Sequence, residues 1–383
     1  MVAHVDEIEA AVVKEFEGFG IGLRRRRTMS DLARWELRGP VRTLQTQFAE
    51  WNPEAGDWWP LKNRLVATFR TDGQLSEIEH HNPDGSLPRE VRRYDEAGQL
   101  TEDQWWSNDV LTRRVVHTYD VGGRSALAVT VDLDGTKHAT ERSQYDENGR
   151  KTKVVFLPVP ETSGATCSTG SCGTMYGVEG TDVAYSAPGA TTSTTIYDEH
   201  ERPSEASFCD ANNALVSRVE FSRDQDGRVL SERMEFAGPA GLLGPSFDAN
   251  VPADERASMI ELLKTVFDDQ AFSVATYAYD EKGRRIETIR RMGKLSEERV
   301  TVRYDDFDNP VEEVRSDVSR EMRMDDGVVK TEEKPSHVQH VRFEYQYDAH
   351  GNWTERIVSQ RLEPNADERP SNIERRTIAY YTD

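Results

Sequence analysis

The stretch Tyr277-Ala-Tyr-Asp-Glu-Lys-Gly-Arg284 closes one run of alternating residues and opens the next, and its reading decides the fold. An Asp side chain accepts hydrogen bonds from backbone amides just ahead of it, and Gly supplies the positive φ a hairpin needs. Tyr279-Asp280 with Gly283 is therefore a turn with a mechanism. The same pattern returns at Tyr94-Asp95/Gly98, Tyr119-Asp120/Gly123, Tyr145-Asp146/Gly149 and Tyr347-Asp348/Gly351. Degenerate copies stand at Phe69/Gly73, Tyr197-Asp198, Arg223-Asp224/Gly227 and Tyr304-Asp305. The step is about 25 residues, a period that marks a repeat architecture. Weaker turns fall between, at Asn82-Pro-Asp-Gly85, Asn108-Asp109, Asp134-Gly135, Asn212-Asn213 and Met292-Gly293.

A strand roughly every 12 residues, each ended by a turn signal, is the pattern of an all-β protein. The runs between turns alternate with period two. Val300, Val302 and Tyr304 share one face and Thr301 and Arg303 the other, so the motif tyrosine is expected to point inward. On the order of 20 strands follow, and a twisted sheet beyond about 10 strands curls or splits. The expected fold is all-β: antiparallel hairpin repeats forming a curved, rolled or barrel-like sheet, with an N-terminal helix and one inserted helix.

Two units are expected. Residues 1–34 form an amphipathic helix, with Val5, Ile8, Val12, Phe16 and Phe19 at helical spacing, and a linker holding the basic run Arg24 to Arg27. Residues 35–383 form the β domain, interrupted twice. The segment 157–195 is a Gly/Ser/Thr-rich loop containing Cys167 and Cys172, and 238–270 is a helical insertion with Met259, Ile260, Leu263, Val266 and Phe267 on one side. Helices of this kind cover sheet edges or ends that would otherwise aggregate.

The chain has 383 residues with 69 acidic against 48 basic, a formal charge of −21, which repels phosphate backbones and excludes nucleic acid as a partner. No apolar run approaches the roughly 18 residues of a membrane helix, and the acidic start lacks the flank of a signal peptide. The expectation is therefore no membrane span and a cytoplasmic protein, exported if a leader was removed. Three cysteines are too few for a disulfide-stapled scaffold; Cys167 and Cys172 form a loop disulfide or remain free thiols.

No His-Glu-x-x-His, nucleophile elbow, phosphate loop or dinucleotide fingerprint occurs. The Asp-rich turns at Asp132-Leu-Asp134-Gly135, Asp224-Gln-Asp226-Gly227 and Asp305-Asp306-Phe-Asp308 invite a calcium reading, but none continues to the distal Glu of a calcium loop. No metal and no cofactor is expected. Trp58, Trp59, Trp105 and Trp106 are adjacent pairs whose members face opposite ways on a strand, so one of each pair is a candidate for stacking on a sugar or gripping a peptide. Filling a rolled sheet is the structural alternative.

The motifs resemble those of the YD-repeat, or RHS-repeat, family of bacterial proteins, whose pattern is Tyr-x-Tyr-Asp-x-x-Gly-Arg followed by a half-repeat Gly. Tyr277 to Arg284, then Gly293, then Tyr304-Asp305, follows it; Tyr345-Gln-Tyr347-Asp348-Ala-His-Gly351-Asn-Trp353, with the closing Ile373 to Tyr381, is similar to the last repeat of small stand-alone members. The resemblance implies a β-sheet shell. In large members it encloses a toxin and is followed by a self-cleaving motif containing Asp-Pro; this chain has no Asp-Pro dipeptide. Together these features lead to a non-enzymatic binding or scaffold protein that presents a β surface to a protein or glycan partner. The alternatives are a toxin-associated shell or accessory protein, and an enzyme with its site at the Cys167 loop.

Overall fold

The structure is a computed structural model that describes residues 30–119, 123–131, 137–147, 150–156, 175–177, 184–186, 190–238, 252, 257, 260, 272–325, 328–334, 337–361 and 367–382. The expected helix at residues 5–19, the basic run, Asp120, Asp132, Asp134, Gly135, Gly149, Cys167 and Cys172 lie outside them. So does most of the expected insertion at 238–270, where Ala257 and Ile260 are helical.

A short helix, α1 (Asp31–Arg34), precedes β1 (Val41–Asn52), β2 (Asp57–Trp58), β3 (Lys62–Phe69), β4 (Leu75–His80), β5 (Pro88–Tyr94), β6 (Leu100–Ser107), β7 (Val110–Tyr119) and β8 (Ser125–Val131). Next come β9 (Lys137–Tyr145), β10 (Lys151–Phe156), β11 (Met175–Gly177), β12 (Ala184–Ser186), β13 (Thr192–Tyr197), β14 (Pro203–Cys209), β15 (Leu215–Arg223) and β16 (Val229–Phe236). The last are β17 (Ser273–Tyr279), β18 (Arg285–Met292), β19 (Ser296–Tyr304), β20 (Pro310–Asp325), β21 (Val328–Glu333), β22 (His337–Tyr347), β23 (Trp353–Arg361) and β24 (Arg369–Tyr380).

One antiparallel sheet holds all but β11 and β12, which pair with each other. Each stave bonds the next in sequence, and β24 returns to β1 over the register Val41↔Tyr380 to Glu50↔Asn372. β2 and β21 are flaps on β1 and β20, which leaves a closed barrel of 20 staves. With strands about 4.8 Å apart and tilted by about 40°, such a ring is about 40 Å across, backbone to backbone.

Alternation decides which way each residue points. In β15, Ser217, Val219 and Phe221 are buried while Arg218, Glu220 and Ser222 are not. Followed across the cross-strand registers, the buried face joins Leu44, Ala67, Ile78, Val115, Phe208, Val219, Ala275 and Tyr345, and it is the face against which Leu32, Trp35 and Leu37 pack. This is the inward face. The outward face carries cross-strand ion pairs, among them Arg299–Glu287, Arg291–Glu297, Arg303–Glu312 and Arg375–Glu355. One outward apolar cluster stands apart, Leu127, Val129 and Val131 with Val116.

Much of the inward face is only half-buried. Arg92, Trp105, His117, Thr288, Glu298, Val300 and Phe343 are intermediate, and Arg113, Arg290 and Arg315 are exposed although they point inward. A side-chain-filled core buries such positions; barrels of about this strand number enclose a lumen instead.

The two ends of the barrel differ. Every turn of the Tyr-Asp series, degenerate copies included, from the one between β3 and β4 to the one between β22 and β23, lies at one rim, because consecutive staves run antiparallel. At the opposite mouth are the stave ends Phe156 and Thr192, joined through residues 157–191, and Phe236 and Ser273, joined through 237–272, together with the β20–β21 flap and β2.

Candidate functional site

The turn rim is a series of similar joints. At Asp280 the carboxylate Oδ1 accepts from the amides of Lys282 (3.0 Å) and Arg284 (2.9 Å), while Oδ2 accepts from the Arg284 guanidinium at 2.7 Å. Desolvation opposes this charge, but the Arg284 amide and guanidinium outweigh it and hold the Asp280 carboxyl below its ordinary value. Gly283 takes φ +80°, where a side chain is strained. The guanidinium of Arg284 then lies over the ring of Tyr304, the tyrosine of the next hairpin, 4.9 Å from its centroid. Arg150 over Tyr197 and Arg228 over Tyr279 repeat the arrangement.

Each tyrosine also reaches back. Tyr94 donates to the carbonyl of Leu75 (2.7 Å), Tyr119 to Leu100 (2.5 Å), Tyr279 to Val229 (2.8 Å) and Tyr304 to Arg285 (2.8 Å), in every case the first residue of the second strand of the preceding hairpin. Burial, with Asp31 nearby, pushes Tyr94 up to about 12. Tyr145 stacks under Arg124 at 5.0 Å, and Tyr347 donates to the Asp305 carboxylate. The motif tyrosines Tyr94, Tyr119, Tyr279, Tyr304 and Tyr347 thus sit on the inward face, and Asp95, Asp146, Asp280, Asp348, Gly98, Gly123, Gly283 and Gly351 sit in the turns.

The ring is sewn shut where β24 meets β1. Tyr381 donates to Phe69 at 2.6 Å, and Tyr380 donates to Asp348. Asn352, 2% exposed, accepts from the Arg38 amide (2.7 Å) and donates to the Arg38 carbonyl (2.8 Å) and the Tyr380 hydroxyl (2.8 Å). The segment 30–40 crosses this seam as a strap. On one side Leu32 donates to Gly73 (3.1 Å) and Asp31 accepts from the Leu75 amide (2.8 Å); on the other, Arg38 donates to Phe307 (2.8 Å). Ser30 caps α1, its side chain accepting from Ala33.

Below the strap the inner wall carries two charged clusters. In the first, Asp103 meets His117 at 2.8 Å and Arg92 at 3.5 Å. In the second, Trp353, 4% exposed, has the guanidinium of Arg376 3.4 Å from its ring centroid and that of Arg356 at 5.0 Å, while Arg356 donates to Glu374 at 2.7 Å. Burial, aided by Arg356, pushes the Arg376 guanidinium down to about 10, with Glu374 opposing. These arginines read in sequence as ordinary polar strand positions; only closure of the ring turns them inward.

The tryptophans do not form one patch. Trp58, on the β2 flap, packs edge-to-face on Trp51 at 5.0 Å, and Trp59 is 53% exposed beside it. On β6, Trp105 faces the lumen under Arg113 (4.9 Å) and Trp106 faces outward under Arg89 (5.3 Å). All four lie toward the insertion-bearing mouth, with β3, β4 and β5 between the pairs. Cys209 is a half-buried free thiol. Among the described residues, no three His, Cys, Asp or Glu side chains group as a metal site.

No family model matches the chain, and no curated protein does. Among solved structures, a porin-like protein from Bacteroides uniformis is 9% identical over 89% of this chain and 99% of that one, with a TM-score of 0.31. A porin-like protein from Bacteroides vulgatus is 11% identical, covering 88% and 97%, with a TM-score of 0.24. The TcdB2-TccC3-Cdc42 complex is 10% identical; the match covers 84% of this chain but 18% of that one, with a TM-score of 0.26.

The closed ring overturns the ground of two expectations: no membrane span, and a cytoplasmic location. Both rest on a missing apolar helix. Among the described residues no helix is long and apolar enough to cross a membrane. A barrel crosses with strands, because closure satisfies every backbone group around the ring, so the helix test does not bear on it and neither expectation stands.

Proposed function

We propose that this chain is a small YD-repeat barrel that acts as a non-enzymatic container or scaffold, holding a polypeptide partner in its lumen. The observation that carries the reading is the combination of a closed wall with inward residues that remain half-exposed. A ring about 40 Å across leaves room for a helix of about 10–12 Å even after side chains line it. The strap 30–40 covers part of the turn rim, so a partner enters from the opposite mouth, where Trp59 is exposed. The toxin-associated alternative is a special case of the same reading, since a shell is a container with a particular cargo. No observation favours a glycan, because the tryptophans are spread over two faces.

The test compares lumen with exterior. The full chain and a lumen-narrowing variant, Thr288→Trp with Val300→Trp, are used as baits on lysate of the source organism, beside an outward variant, Arg299→Ala with Arg303→Ala. Narrowing is expected to lose the polypeptides that wild type and the outward variant retain. Equal recovery by the narrowed barrel, or loss only in the outward variant, overturns the reading.

A further inference from the structure

Within the second inner-wall cluster, several buried polar atoms lack a partner among the described residues. Arg376 leaves Nε and Nη1 unpaired, Arg356 leaves Nε unpaired, and the hydroxyl of Thr46, 3% exposed, is unpaired too. Thr46 stands directly opposite Arg376 in the β1–β24 register, and both guanidinium groups are anchored on the same Trp353 ring. Buried donors without acceptors are costly, and those of charged groups most of all. Their convergence on one wall is what an oxyanion requires: two cations placed against one aromatic ring and a hydroxyl donor. The nearby carboxylates do not fill the place. Glu374 accepts from Nη2 of Arg356 and acts on Arg376 only through its charge, as Glu36 does from the strap, without an ion pair to it.

We propose that Arg376, Arg356 and Thr46 form a binding site for a single oxyanion on the inner wall of the barrel, beneath the strap. The anion bridges the two guanidinium groups and accepts from the Thr46 hydroxyl. Its chemistry is shared by inorganic sulfate or phosphate and by the carboxylate of an acidic peptide. The site needs no cargo in the lumen to exist, so it stands or falls separately from the container reading.

Calorimetric titration of the full chain with sulfate and with phosphate, against chloride at matched ionic strength, tests it. Tetraglutamate, with tetraglutamine as its neutral control, is titrated in parallel. One anion is expected to bind per chain, with affinity reduced at least tenfold in Arg376→Met, which keeps an apolar stem on Trp353, and several-fold in Thr46→Val. Melting curves report whether each variant folds; should Arg376→Met fail to fold, Thr46→Val and Arg356→Met carry the test. Tighter binding of tetraglutamate than of sulfate or phosphate assigns the site to peptide carboxylates, and the reverse order assigns it to a free anion. Absence of binding in wild type by all the anions shows that water satisfies these groups and overturns the proposal. Binding that survives unchanged in the folded variants is adventitious and overturns it equally.

Discussion

The two ends of the barrel are made by the same staves yet solve different problems. At the turn rim the hairpins close through five-residue turns of one pattern, in which an Asp side chain accepts from amides of its own turn and an Arg at the end of several turns reaches the tyrosine of the next hairpin. At the opposite mouth the connections range from the two-residue turn at Asn108-Asp109 to the long connection at 157–191. Five large apolar side chains are exposed at that mouth: Trp59, Leu87, Val110, Leu215 and Met292. One rim therefore fixes the circumference of the barrel while the other is free to vary. A repeat motif this regular records a structural constraint, and functional variation collects where the constraint is absent.

Substitutions that treat the two ends alike should have unlike effects. The largest contrast is expected at the seam. Asn352→Ala leaves the Arg38 amide and carbonyl without their partner in a buried place, and should destabilise by about 2–4 kcal/mol. Asn82→Ala, in an exposed turn at the opposite mouth whose amide reaches only Ser86, should cost under about 1 kcal/mol. Urea unfolding of both measures the difference; equal costs would mean that the seam is no stronger than a surface turn.

A smaller contrast is expected between Tyr119→Phe and Trp59→Ala. The first removes only the hydroxyl that donates to Leu100 and should cost about 1 kcal/mol. The second removes a large side chain that is mostly in water and should stay within about 0.5 kcal/mol. Thermal melts rank the two, and a reversed order removes the distinction between rims.

The smallest effect concerns acid. The carboxyls of Asp198, Asp224, Asp280 and Asp348 are all held below the ordinary Asp value of 3.8, with desolvation opposing and hydrogen bonds prevailing, from their own turns in the first three and foremost from the Tyr380 hydroxyl at Asp348. Their folded-state pKa is depressed, so the stability they contribute is present above 3.8 and is lost as pH falls below it. Melting temperature should fall more steeply below pH 4 in wild type than in Asp280→Asn. Parallel curves would show that Asp280 does not contribute to the acid loss.

Much of the turn rim was legible because its signals are local. Asp280, Gly283 and the residues that answer them lie within five positions of one another, and the alternation before Tyr304 assigns its face without any tertiary knowledge. What the sequence conceals is long-range. The pairing of Val41 with Tyr380 makes the sheet a barrel, yet nothing near either residue announces the other. Arg356 and Arg376 look like solvated strand positions until that pairing decides which side is inside. The strap escaped notice for a similar reason: Ser30 and Asp31 carry the signs of a helix start, but α1 is four residues long and takes its stability from the rim it crosses. The tryptophans illustrate the converse. Their opposite facing on β6 was readable from adjacency, whereas their stacking under Arg89 and Arg113 depends on strand neighbours.

The seam between β1 and β24 has a further consequence for biosynthesis. The strand that completes β1 lies roughly 330 residues downstream of it, a delay of about 20–70 s at ordinary translation rates. During that interval one edge of β1 has no barrel partner, the condition under which strands recruit foreign chains. Closure is thus a late, high-contact-order event, and the strap, which in the closed barrel bonds Gly73 and Leu75, is synthesised before it. Nascent chains stalled before β24 should therefore be the aggregation-prone species, and completion of the ring the step that ends the hazard.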